Sequence, residues 1–77
     1  SDGGIAQGLS FIGAALAIGL AAIGAGIALA SGAPAAIGAV AEDPKSFGKA
    51  MIFVALGEAV AIYGFIIAFL MILPTLQ

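Results

Sequence analysis

No cysteine, histidine or arginine occurs in this 77-residue chain. Disulfides, thiol chemistry and the usual zinc sites are therefore excluded. Charge is nearly as scarce, at 8% of residues: Asp2, Glu42, Asp43 and Glu58 stand against Lys45 and Lys49, for a net charge of −2. Without a basic patch, nucleic acid is not a partner. The same scarcity excludes water as the main solvent. The chain is 64% hydrophobic with a mean hydropathy of +1.31, whereas soluble domains run about 45–50% apolar and about 25% charged. So short a chain buries only part of its surface, so the rest must face lipid. The chain opens Ser1-Asp2 without an initiator methionine, as a processed product would, and no basic n-region of a signal peptide is readable.

What is present falls into two halves. No charge occurs from Gly3 to Ala41, and Glu58 is the only one from Ala50 to Gln77. A membrane-spanning helix needs about 20 apolar residues, so each half supplies one span. The pattern predicts helix 1 over about 5–41, a loop over about 42–46 and helix 2 over about 44–73, in a single unit covering 1–77. Asp43 is a good N-cap and Pro44 suits a first helical position. The connection is then short and the helices are antiparallel neighbours. Pro74 is expected to end helix 2, and Pro34 to bend helix 1 or mark its exit from hydrocarbon. Both lysines lie at the loop, so the positive-inside rule places the loop in the cytoplasm and both termini outside.

The halves differ in bulk. Residues 13–41 hold 20 Gly, Ala or Ser among 29. Small residues recur every fourth position in two rows, Ala22–Gly26–Ala30 and Gly24–Ala28–Gly32. Lipid offers no hydrophobic force between helices, and small-xxx-small rows let backbones approach closely enough to gain dispersion contacts. Rows pointing in different directions suit a helix packed on several sides by copies of itself. Helix 2 is thicker, with Phe47, Met51, Phe53, Tyr63, Phe65, Phe69 and Met71. A thin helix beside a thick one makes a wedge, and repeated wedges close into a ring. The fold expected is an all-α membrane hairpin of two spans, assembling into a closed homo-oligomeric ring; a plain hairpin dimer is the simpler alternative. Nucleotide chemistry is not expected. Gly24-Ala25-Gly26 lacks the third glycine and the βαβ setting of a dinucleotide fingerprint, and Gly48-Lys49-Ala50 lacks the hydroxyl residue of a phosphate loop.

Glu58 is nine residues beyond Lys49, about 13.5 Å deeper at about 1.5 Å per residue. In a core about 30 Å thick, that is near the midplane. An acidic group there costs about 2.5–3.5 kcal/mol on insertion scales, which favours the neutral acid. No arginine exists to offset its charge, and Lys45 and Lys49 lie too far up the helix. Any counter-cation must come from another polypeptide. A carboxyl that is neutral in lipid and ionised only beside a foreign cation can carry protons. The simpler alternative is a neutral acid gluing two helices by a hydrogen bond. Tyr63 lies about 7.5 Å further along the axis and about 140° around it, which favours contact with Glu58 across a subunit boundary; its alternative role is packing.

With these residues the chain resembles the ring-forming proteolipid, the c or K subunit, of rotary ATP synthases and ATPases. The carriers are IGLAAIGAGIALASG, the loop EDPKSFGKA, and LGEAVAIYGFIIAFLMI, where the Glu with Tyr-Gly at +5 and +6 is the specific part. The loop lacks the Arg of the F-type pattern, and Glu-Asp-Pro-Lys points to the V/A-type of archaea and some bacteria, in a prokaryotic plasma membrane. The resemblance implies a non-catalytic rotor subunit that turns against a stator subunit supplying an arginine. It assigns the ion-carrying carboxylate to Glu58, supporting roles to Tyr63 and the Leu56 carbonyl, and central-stalk contact to Glu42, Asp43 and Lys45. Sodium relatives place a hydroxyl after the Glu and a Gln on the facing helix. Here Ala59 follows, and residues 24–28 offer no polar side chain, so a proton is expected and sodium is not. No cofactor or resident metal is expected. One charge crossing 100 mV yields about 2.3 kcal/mol, so several carriers per ATP are needed, which a repeated hairpin supplies. The competing function is an oligomeric pore or small regulatory hairpin with no rotary partner.

Overall fold

Between Gly3 and Ala41 no charged group interrupts the apolar run, and backbone groups in lipid must pair within the chain. The run does so as one helix. A computed structural model describes residues 2–77. It contains α1 (Asp2–Glu42), a 3-10 turn at Pro44–Ser46, α2 (Phe47–Ile72) and a second 3-10 turn at Leu73–Leu76. The 41 residues of α1 span about 61 Å at about 1.5 Å each, which accounts for the 60 × 21 × 11 Å extents of the molecule.

The boundaries differ from the sequence expectation in ways the chain explains. Helix 1 extends beyond 5–41 at both ends. Asp2 in its first turn complements the positive N-terminal dipole, and the Asp43 N–H continues the ladder to Ala39 O at 2.9 Å. Asp43 then turns extended (φ −141°, ψ 95°), as a residue before proline prefers. Pro44 does open the next element, but that element is a 3-10 turn, and the α-helix begins only at Phe47. Asp43 is the reason. Its Oδ1 accepts from Lys45 N at 3.1 Å, while its carbonyl accepts from Ser46 N at 2.9 Å and Ser46 Oγ at 2.8 Å. These short-range bonds hold a tight corner. At the other end α2 stops at Ile72, with the Leu73 N–H on Phe69 O, and Pro74 sits inside the second 3-10 turn. Pro34 lies within α1 without interrupting it, as membrane helices tolerate where neighbouring groups relieve the freed carbonyl.

The two helices meet along a seam of small side chains. Ala14, Ala25, Ala50, Gly64 and Ala68 are buried. On α2 the seam reads Ala50, Val54, Gly57, Ala61, Gly64, Ala68, a spacing of four and three that keeps one face turned to a partner. The closest approach is at Gly64. A methyl group built there would overlap Ala21 Cβ and lie 2.7 Å from the carbonyl oxygen of Ala17. At Gly57 the same methyl would meet only side chains, Leu29 Cδ2 at 3.1 Å and Ala28 Cβ at 3.9 Å among them, and at Gly13 only Met71 Cε at 2.8 Å. These three contacts also set the antiparallel register: Gly13 is level with Met71, Gly64 with Ala17 and Ala21, and Gly57 with Ala28 and Leu29.

Almost everything else apolar faces outward. Phe53 is 72% exposed, Ile27 70% and Phe65 57%. Both helices are long and apolar enough to cross a membrane, and their outer faces require lipid or further protein.

Gly64→Ala is expected to lower hairpin stability by about 1–3 kcal/mol, the cost of overpacking against unyielding backbone. Gly13→Ala costs less, because the end of a flexible methionine can move. Unfolding in mixed detergent–SDS micelles measures both, and equal costs would contradict the seam described here.

Candidate functional site

Glu58 follows Gly57, one step off the seam, and is exposed on one flank of α2. Two apolar grooves of about 320 Å³ each run along the hairpin. The groove nearer the loop lies between α1 residues such as Ile37 and Val40 and α2 residues Phe47, Met51 and Val54. The other lies between Phe11, Ile18, Phe65 and Phe69. Helical spacing places Glu58 on the same flank, four residues beyond Val54 and seven before Phe65. On α1 the matching positions between the grooves are Ala22 and Gly26.

Tyr63 is 72% exposed and Leu56 62%. Seven residues apart, they share a face, and that face lies about 140° around α2 from Glu58. This is the separation that the helical spacing of Glu58 and Tyr63 predicted. The side-chain hydrogen bonds among the described residues belong to Asp43, Ser46 and Thr75; Glu58 and Tyr63 make none.

The two small-residue rows of α1 are separated in the same way. Ala22, Gly24, Gly26, Ala28, Ala30 and Gly32 are all exposed, and Gly24, Gly26 and Gly32 have nothing within 4 Å of a built methyl group. Of the six, Ala28 alone reaches the seam, its Cβ lying 3.9 Å from a methyl group built at Gly57. The Ala22–Gly26–Ala30 row lies toward the Glu58 flank, and Gly24 is about 160° away from Gly26, toward the other. Glu42, Asp43 and Lys45 cluster at the exposed tip, where the Asp43 carboxylate serves as a local cap.

Sequence reasoning missed the seam glycines Gly57 and Gly64 and the grooves beside Glu58. The four-three spacing from Ala50 to Ala68 could have revealed the first. The grooves follow from the register of two helices and have no sequence signature.

Fold and site together define a two-span membrane hairpin with one carboxyl in its apolar length and small-residue faces left uncovered. Residues 12–71 match the family of the ATP synthase C subunit. The chain is 42% identical over 73 residues to the V-type sodium ATPase subunit K of Enterococcus hirae, covering 95% of this chain and 47% of that protein. It is 56% identical over 61 residues to the A-type ATP synthase subunit K of Sulfolobus acidocaldarius, covering 79% and 60% of the two. It is 54% identical over 66 residues to the A-type ATP synthase subunit K of Sulfurisphaera tokodaii, covering 86% and 64%. The chain thus spans about half to two-thirds the length of these relatives. It belongs to the ATP synthase C-subunit family, the non-catalytic ring proteolipids of rotary ATPases, whose members are two-helix hairpins that form oligomeric rings.

The separation of Glu58 and Tyr63 has a measurable consequence. Tyr63→Phe should leave carbodiimide labelling of Glu58 unchanged in detergent-dispersed single hairpins. In the assembled oligomer the rate should change about two- to tenfold, the size of one hydrogen bond. A change already present in the single hairpin would place the contact within one chain.

Proposed function

We propose that this chain is a rotor-ring subunit that carries protons across a membrane on Glu58, coupling proton flow to rotation and to ATP synthesis or hydrolysis elsewhere in the complex. The observation that carries this reading is a carboxyl without a side-chain partner among the described residues. Glu58 stands in the apolar span, its ionised form is costly there, and among the described residues no side-chain hydrogen bond or cation meets it. A stator subunit supplying an arginine would stabilise the carboxylate for as long as the two are adjacent. Away from that contact the neutral acid is the form that lipid tolerates.

The two flanks support ring assembly. A head-to-tail contact sets the Glu58 flank of one copy against the Tyr63 flank of the next, and such heterologous contacts close when the rotation per copy divides the circle. The uncovered rows through Gly26 and Gly24 would then both lie at subunit boundaries. Tyr63 and the Leu56 carbonyl of one copy would approach Glu58 of its neighbour and hold the acid while it is neutral. At the tip, Glu42, Asp43 and Lys45 form the surface for a central stalk.

For the ion, the donor set favours a proton. Hard cations take several oxygen ligands. Ala59 offers none, the α1 residues level with Glu58 offer no side-chain oxygen, and Gln7 and Gln77 lie at the far end of the hairpin. The Enterococcus relative is named as a sodium ATPase subunit, so the ion is a direct point of test.

Hydrophobic carbodiimide should label Glu58 in the assembled protein, with no protection by sodium. Glu58→Gln should abolish proton transport in reconstituted vesicles. An inert Glu58 together with a transporting Glu58→Gln variant would overturn the rotor reading in favour of a pore or regulatory hairpin. Sodium protection would overturn only the ion.

The loop is proposed to face the cytoplasm. A membrane-impermeant amine reagent should then modify Lys45 in inverted vesicles and spare it in right-side-out vesicles. The reverse pattern would invert the topology.

A further inference from the structure

Taken from Lys49 alone, Glu58 lies near the middle of an average bilayer. The tertiary register supplies the second boundary that such an estimate lacks. Since Gly13 is level with Met71 and Gly64 with Ala17 and Ala21, Ser10 of α1 falls beside Thr75, and Gln7 beside Gln77. These four residues form an uncharged polar collar at the end opposite the loop. Between it and Lys49, exposed large apolar side chains run from Met51 and Ile52 near the loop to Phe69 and Leu70 near the collar, with Glu58 the one charged residue in the stretch. On α1 no polar side chain occurs from Phe11 to Ala30.

The lengths are unequal about the carboxyl. Lys49 to Glu58 is about 13.5 Å, and Glu58 to Thr75 about 25 Å, at about 1.5 Å per residue. The apolar band from Ala50 to Leu73 is about 36 Å long, against about 30 Å for an average hydrocarbon core. A longer band is met by a thicker bilayer or by tilt, and either keeps the band centred on the lipid.

We propose that the bilayer is centred near Ala61–Tyr63, so that Glu58 lies on the loop side of the midplane, about one-third of the way through the band. One consequence rests on the proton-carrying reading: the two access routes to Glu58 are unequal. The route from the loop side is short. That from the termini side is longer and crosses a stretch in which this chain offers only the Tyr63 hydroxyl.

The test is a nitroxide depth scan on α2 of the full chain in vesicles. Single cysteines are placed on the face turned away from the seam, at Ile52, Ala55, Ala59, Ile62, Ile66 and Leu70; the chain has no native cysteine to remove. The ratio of collision rates with oxygen and with a water-soluble nickel chelate reports depth. The expected profile is symmetric about position 62, with Ala59 and Ile66 nearly equal. A profile symmetric about 58–59, with Ala55 equal to Ile62, would overturn the proposal. Because the scan leaves Glu58 in place, it is independent of the proton reading: a transporting Glu58→Gln variant would remove the carrier role and leave the measured depth standing.

Discussion

Two helices in hydrocarbon are held together by how closely their backbones can approach, and here that depends on the contact of Gly64 with Ala17 and Ala21. Lipid is as apolar as the side chains it touches, so burying leucine gains little and close dispersion contact decides. Glycine at position 64 removes the one group that would hold the helices apart. The rest of the seam, from Ala14 and Ala25 on one side to Ala50 and Ala68 on the other, is built to the same small gauge. The register set at this contact in turn decides which residues share a level and which flank each side chain takes.

That narrow seam leaves most of each helix uncommitted. Phenylalanines and isoleucines that would fill the core of a soluble protein point outward, and so do the glycines at positions 24, 26 and 32. The molecule is thus a part whose surfaces are for lipid and for other chains. The unpartnered carboxyl fits the same pattern. Glu58 lies between two apolar grooves on one flank, while Tyr63 and Leu56 lie on the other. A chain that put both groups on one flank could satisfy itself and would have no need of a neighbour.

Much of the fold was legible because lipid leaves few options. An uncharged run from Gly3 to Ala41 can only be a helix if it spans hydrocarbon, and Asp43-Pro44 announces a turn by its local chemistry. The limits of the elements were less legible. Asp43 was recognisable as a cap, but the 3-10 turn it holds, and the later start of α2 at Phe47, depend on hydrogen bonds whose competition with the α-helix is decided by a fraction of a turn. Pro34 was read as a bend or as the exit from hydrocarbon, and the helix runs on through it. At the site, Glu58 stood out because its chemistry contradicts its surroundings, and no structure was needed to find it. Gly57 and Gly64 were harder to separate from the other glycines, since a glycine at a contact and a glycine facing outward look alike in a list.

By itself, the sequence determined the solvent, the two spans, the position of the loop, and the presence of one acid with no basic partner in its span. These follow from composition and order, which lipid reads directly. Only the tertiary structure decided which small residues form the seam and which flank of the hairpin carries Glu58. It also brought Ser10 and Gln7 level with Thr75 and Gln77. The physical reason is that depth and flank are properties of a pair of helices in register, and the register is set by the closest backbone contact, at Gly64, between residues more than forty positions apart in the chain.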